Sequence, residues 1–183
     1  MAGKSLKANF VTPQQVAEGI EDGQTICTIG MTLVSASESN LKAIEERFLS
    51  TGHPKNLTLL HSCGQSDRQR GIQHLAHEGL VTRIIGSHWG LQPRWMDMIA
   101  NNQVEAYCLP QGQIAQLYRS MACGLPGKMS KVGLGTFIDP RVEGGKMNDR
   151  TKPLPDISEV IEIHGEEYMF YHEVPIDVCL IRG

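Results

Sequence analysis

The feature of this sequence that most constrains its fold is a repeated succession of a short apolar run and a helix-like segment. Each run is predominantly apolar rather than alternately apolar and polar, and the four runs are residues 25–30, 57–62, 81–89 and 104–108. A strand that is apolar on both sides has to be covered on both sides. The succession therefore predicts an α/β fold in three layers, with a mostly parallel sheet and helices on both faces.

The segments around these runs carry helix signals. Thr12 followed by Pro13 predicts a capped helix that ends near Gly23. Apolar residues at helical spacing predict the later helices, at residues 38–49, 74–78, 93–101 and 113–122.

The pattern changes after Leu125. Residues 125–149 are rich in glycine and have no sustained period, which indicates a long ordered loop or lid. Two strands hinged on Gly165 follow, and then a buried strand over residues 176–181. The sequence stops at Gly183 directly after that apolar strand. We therefore expect residues 1–183 to form one domain that is incomplete at its C-terminus, truncated or completed by a partner.

Composition narrows the class of protein. The net charge of −3 and the isoelectric point near 6.2 give no electrostatic basis for a nucleic-acid or anionic-membrane partner. The sequence contains no membrane-spanning run of about 20 apolar residues and no signal peptide. Its five cysteines are odd in number and widely spaced, as expected of reduced thiols. We expect a cytoplasmic protein without disulfide bonds.

Candidate site residues follow the predicted strands. Gly30, residues 62–64 and residues 110–112 come after strands whose carboxyl ends share one edge of the sheet, where ligands bind in open parallel sheets. Beside Gly112, the Gln111 carboxamide could donate an N–H to a carboxylate or thioester oxygen. The alternative is a glutamine in a solvent-facing turn, which composition alone favours.

Nucleotide motifs in the glycine-rich segment are incomplete. Gly133 and Gly135 lack the third glycine and the helix start of a dinucleotide fingerprint. Gly144, Gly145 and Lys146 lack the earlier glycine and the following Ser or Thr of a phosphate loop. Nucleotide binding of either type is disfavoured.

Metal and thiol chemistry are also weakly supported. His61, Cys63, His74 and His77 show neither an HExxH nor a paired CxxC pattern, so ordinary histidines are the better interpretation. Cys108 has no neighbour that would lower its pKa or act as a base, which favours a buried structural cysteine.

Four segments in the same order resemble the family I CoA-transferases, in the branch that contains propionate CoA-transferase and the 3-ketoacid enzymes. The most specific is VGLGTFIDPRVEGGKMND, residues 132–149. The others are AHEGLVTRIIGSHWG (76–90), AYCLPQGQIAQLYR (106–119) and EYMFYHEVPIDVCLIRG (167–183).

The resemblance implies ping-pong transfer of coenzyme A between short-chain carboxylic acids through a glutamyl-CoA thioester. The nucleophilic glutamate of the family lies in a C-terminal half or on a second subunit, so no catalytic residue is assigned within this chain. Gln111 and Gly112 match the family glutamine turn that faces the reacting carboxyl group, and Gly30 matches the glycine loop after the first strand. The resemblance implies acyl-CoA and carboxylates as substrates, no permanently bound cofactor, and a homo-oligomer in the complete enzyme.

One loop departs from the family pattern. Where relatives have several glycines or a GIPE-like stretch after the first strand, this sequence has MTLVSASES, residues 31–39. The bulkier loop leaves open an altered acyl specificity or a degenerate, non-catalytic copy that only binds a partner half. A sugar-phosphate isomerase or deaminase of similar fold is a further alternative, and it would need phosphate-binding clusters at strand ends.

Overall fold

The computed structural model describes residues 8–182, which form a five-stranded parallel sheet and a smaller antiparallel sheet. The strands are β1 Thr25–Thr28, β2 Leu57–His61, β3 Val81–Gly86, β4 Glu105–Cys108, β5 Gly127–Ser130, β6 Ser158–Ile163, β7 Glu166–His172 and β8 Val178–Leu180. The helices are α1 Pro13–Glu18, α2 Glu38–Thr51, a 3₁₀ helix Gly71–Leu75, α3 Pro93–Ala100 and α4 Gln111–Ala122.

The large sheet has the strand order β4-β3-β2-β1-β8, and every pairing in it is parallel. Successive side chains of a strand point to opposite faces. Leu59 accordingly packs with α2, α3 and the 3₁₀ helix on one face, whereas Leu60 packs with α4 and the small sheet on the other. The predicted α/β fold with a mostly parallel sheet is confirmed.

The first helix shows how local chemistry sets an element. The Thr12 hydroxyl accepts from the Gln15 N–H at 3.2 Å, and the Gln15 side chain accepts from the Thr12 N–H at 2.9 Å. This reciprocal cap and Pro13 at the first position fix the start. The helix ends at Glu18, earlier than the predicted end near Gly23.

The predicted helix over residues 74–78 is instead the 3₁₀ helix at Gly71–Leu75. None of the helices in residues 8–182 is long and apolar enough to cross a membrane.

The small sheet has the order β5-β7-β6 and is antiparallel. The hairpin of β6 and β7 turns at Gly165, as predicted, with φ at +78°. Strand β5 was not predicted, because the sequence over residues 125–149 was interpreted as a loop. Later in that segment, the Val132 carbonyl accepts from the Tyr171 hydroxyl of β7, and Gly145 and Met147 contact β4.

These contacts close one edge of the large sheet. The Cys108 N–H donates to the Gly145 carbonyl at 2.7 Å, and the Met147 N–H donates to the Ala106 carbonyl at 3.0 Å. The Ala106 N–H donates to the Thr151 hydroxyl at 2.8 Å. Residues 145–151 therefore cover β4, as native proteins commonly cover an edge strand.

The strand at the other edge is β8, which pairs with β1 so that Cys179 lies opposite Cys27. The prediction of a buried strand over residues 176–181 is wrong in two respects. The strand is shorter, and of its residues only Leu180 is buried, while the neighbouring Ile181 is 62% exposed.

Candidate active site

The carboxyl edge of the parallel sheet carries the residues that the sequence proposed for substrate binding. Gly30 follows β1 by two residues, residues 62–64 follow β2, and Pro110 precedes α4 just after β4. Strands lie about 4.8 Å apart, so β1 and β4, three places apart in the sheet, are separated by roughly 14 Å. Gly30 and Gln111 therefore occupy opposite sides of this edge, with the turn after β2 between them.

Gln111 and Gly112 lie in the first turn of α4 rather than in the turn that precedes it. Pro110 is the N-cap residue, and the helix runs for 12 residues. Both Gln111 and Gly112 are exposed. The N-terminus of a helix presents free N–H groups and the positive end of the helix dipole, so an acceptor oxygen of a substrate would be favoured here.

Gly30 is required by its surroundings. Its φ of +147° is seldom adopted by other residues, and a Cβ atom would meet the Val34 carbonyl oxygen and, at 2.7 Å, the Gln65 amide nitrogen. The main chain after β1 therefore turns between Val34 and Gln65, where only glycine fits.

The loop that departs from the family pattern folds back on itself beside Gly30. Met31 and Val34 exchange two main-chain hydrogen bonds, of 3.2 and 2.9 Å. Their side chains are 59% and 67% exposed. The loop is thus an ordered turn that presents apolar side chains next to the candidate site.

Three buried polar side chains lie against glycines at this edge, and we call them the polar shelf. A Cβ atom on any of the three glycines would strike the polar end of its neighbour. The pairs are Gln65 on Gly30, Gln92 on Gly64 and His61 on Gly86. The exposed fraction of each shelf residue is 1% or less. The shelf thus packs directly beneath the strand-end turns.

The histidine of the shelf is uncharged at neutral pH. Burial lowers the pKa of His61 to about 4, and the nearby charge of His88 lowers it further, although the main chain of Cys63 opposes the shift. The ring of Trp89 stands edge-on to the imidazole, with 6.2 Å between centroids. The shelf therefore carries no net charge near pH 7.

Sequence reasoning missed Gln65 and Gln92. It considered His61 only as a metal ligand. The available signal was the glutamine directly after Gly64, which places an amide beside a strand-end glycine.

The two histidines that the sequence considered as metal ligands in the 3₁₀ helix region, His74 and His77, have structural partners. His77 hydrogen-bonds to Glu45 at 2.7 Å, while His74 contacts Glu45 and also Glu38, the latter at 2.8 Å. These bonds join the 3₁₀ helix region to α2. Within residues 8–182, no group of three or more His, Cys, Asp or Glu side chains is placed to hold a metal ion. Cys108 is buried, as predicted, and this burial raises the pKa of its thiol to about 11.

Comparison with known proteins gives a match to the family model described as coenzyme A transferase, over residues 11–183. The chain belongs to the coenzyme A transferase family. The resemblance stated from the four sequence segments is thereby confirmed.

Individual relatives agree with this assignment. The chain is 43% identical to the caffeate CoA-transferase of Acetobacterium woodii, over 96% of its own length and 33% of the relative's. It is 32% identical to the acetoacetyl-CoA:acetate/butyrate CoA transferase alpha subunit of Clostridium acetobutylicum, over 97% of its own length and 72% of that subunit.

A solved structure of the acyl-CoA transferase YdiF from E. coli O157:H7, a thioester complex with CoA, is similar with a TM-score of 0.85 and 35% identity. That alignment covers 92% of this chain and 33% of YdiF. The chain thus spans about a third of the length of the caffeate and YdiF enzymes and most of the length of a separate alpha subunit.

Proposed function

We propose that this chain forms one wall of the active site of a CoA-transferase that moves coenzyme A between a short-chain acyl-CoA and a free carboxylic acid. Acetate, propionate and 3-ketoacids are the acids we propose. The carrying observation is that Gly30, Gln111 and Gly112 share the carboxyl edge of a parallel sheet in a member of this family. Ligands bind at this edge in open α/β sheets.

The chemistry we propose is covalent and proceeds in ping-pong order. A glutamate outside residues 1–183 attacks the acyl-CoA and expels the CoA thiolate, leaving an acyl-glutamyl anhydride. The thiolate then attacks the glutamyl carbonyl, which releases the donor carboxylate and forms the glutamyl-CoA thioester. The acceptor carboxylate reacts with this thioester by the same two steps in reverse, which yields the new acyl-CoA and frees the glutamate. Coenzyme A is a substrate here and no permanently bound cofactor is required. The remaining part, either a C-terminal half or a beta-type subunit, supplies that glutamate, and the similarity to a separate alpha subunit supports this division.

Gln111 is proposed to stabilise negative charge on the reacting carbonyl oxygen. Its exposed carboxamide and the free N–H groups of the first turn of α4 both favour an acceptor oxygen at this point. Attack on a thioester concentrates charge on that oxygen in the transition state. The hydrogen bond donated by Gln111 should therefore affect turnover more than it affects the binding of CoA.

Substitution of Gln111 in the complete enzyme tests this role. We expect Gln111→Ala to lower kcat by about 10²-fold, the usual effect of removing one donor of this kind. The assay is exchange of labelled propionate into propionyl-CoA.

The matched control is Gln116→Ala, an exposed glutamine on the same helix that is one and a half turns from its start. It should retain wild-type turnover. If Gln111→Ala behaved like this control, Gln111 would be an ordinary surface residue.

A further inference from the structure

The polar shelf carries polar atoms that the fold does not satisfy. Among the described residues, Gln65 and Gln92 are the side chains in which both amide atoms are buried without a hydrogen-bond partner, and the buried imidazole of His61 has only the main chain of Cys63 to bond to. Buried amides and imidazoles in native proteins are nearly always paired, because an unpaired group loses its hydration without compensation. Single unpaired atoms also occur elsewhere, such as Gln73 Oε1 and Ser158 Oγ, but the two fully unpaired amides and the buried imidazole lie together at the carboxyl edge.

The arrangement is not explained by packing alone. An apolar side chain of the same shape would fill the same space against each glycine without leaving polar atoms unpaired. Local features that reduce stability concentrate at functional sites, where they are retained for what they do there. We therefore interpret the shelf as a set of buried side chains that support the residues of the candidate site.

The shelf does not contact solvent and so does not reach a substrate directly. Each shelf side chain lies instead against the α-carbon of a glycine in a strand-end turn. Gly30, which lies against Gln65, is one of the residues we assign to the substrate side. Any effect of the shelf on catalysis must pass through the position of those turns.

We propose that Gln65 and Gln92, with His61, are positioning residues that hold the glycine turns after β1, β2 and β3 in the geometry needed for acyl transfer. This role rests on the proposed function. Because the amide ends of Gln65 and Gln92 lie against the glycine α-carbons, their dipoles act at close range on the peptide groups of the turns without a hydrogen bond, and the uncharged shelf adds no field that would disturb the anionic transition state.

The test is a pair of substitutions that keep shape and remove the amide, Gln65→Met and Gln92→Met, made in the complete enzyme. We expect kcat to fall at least tenfold while the KM for acyl-CoA changes less than twofold, because misplaced turns affect the transition state and not the distant contacts of CoA. We expect the thermal midpoint to stay the same or rise, because unpaired buried amides have been removed.

Gln73→Met is the matched control. Gln73 is equally buried and its Oε1 is likewise unpaired, but its amide nitrogen donates to the Arg68 carbonyl at 2.8 Å. We expect this variant to lose thermal stability and to keep kcat within twofold.

Two results would overturn the proposal. One is wild-type kcat in both shelf variants. The other is a loss of kcat accompanied by a fall in thermal midpoint as large as that of Gln73→Met, which would mark the amides as structural. If the wild-type enzyme itself transferred no CoA, the proposed function would fail and the positioning role with it. If the wild-type enzyme transfers CoA and only the shelf variants lose activity, the proposed function stands and the positioning role is supported.

Discussion

Asn148 should be among the residues whose loss costs this fold most, although it lies in a glycine-rich loop. Its side-chain amide donates to the carbonyls of Ile99 and Val104, both at 2.9 Å. Its side-chain oxygen accepts from the Thr151 N–H at 3.1 Å and from the Thr151 hydroxyl at 2.6 Å. The residue thus ties the end of α3 and the start of β4 to the segment that covers the sheet edge.

The size of the effect follows from these four hydrogen bonds. A typical intramolecular hydrogen bond contributes about 1 kcal/mol net, so Asn148→Ala should lower the free energy of unfolding by about 4 kcal/mol. For a protein of this size, such a loss lowers the melting temperature by roughly 8–16 °C. The assay is urea denaturation followed by far-UV circular dichroism, with the slope m compared between variants.

Two further variants separate hydrogen bonding from packing. Asn148→Asp is nearly isosteric, but it turns a carboxylate oxygen toward two carbonyls, so it should destabilise at least as much as alanine at pH 7. Asn101→Ala removes a single exposed bond, from its amide to the Asp97 carbonyl at 2.9 Å, and should cost under about 1 kcal/mol. If Asn148→Ala were no worse than Asn101→Ala, the reasoning from bond count would be refuted.

Two other predictions concern acid stability and activity. Burial raises the pKa of Glu45, but the hydrogen bonds from His77 and His74 outweigh it and leave the pKa lowered. A lowered folded-state pKa stabilises above the unfolded value of about 4.3 and ceases to do so as the pH falls through the folded value. The stability difference between wild type and Glu45→Gln should therefore shrink between pH 6 and pH 3, as measured by urea midpoints; a constant difference would contradict it. Separately, residues 1–183 alone should exchange no labelled propionate into propionyl-CoA, and measurable exchange would place the nucleophile within the chain.

The parallel sheet could be predicted from the sequence because its strands are buried on both faces. Runs such as residues 57–62 leave few alternatives to a central strand. Strand β5 could not be found in this way, because Lys128, Met129 and Ser130 have little intrinsic preference for a strand. Pairing with β7 holds these residues extended, and that pairing is a tertiary contact.

The first residue of α4 is a second feature that could not be predicted from the sequence. The apolar spacing of Ile114 and Leu117 fixes the helix and its buried side, but Pro110 and Gly112 also fit a turn. The helix therefore begins at Gln111, two residues earlier than predicted. The polar shelf was unpredictable for a related reason, since each contact depends on which glycine of another segment lies beside the side chain.

The most recognisable segment of the sequence, residues 132–149, bears on the site through its contacts with β4. Gly145, with φ at +68°, accepts from the Cys108 N–H on one side of the strand end, and a Cβ atom there would strike the Cys108 carbonyl. On the other side the Leu109 N–H donates to the Gly86 carbonyl at 2.9 Å. Cys108 and Leu109 lead directly into Pro110 and Gln111. The same glycine-rich segment that seals the sheet edge thus fixes where α4 begins, and so where the Gln111 amide is held.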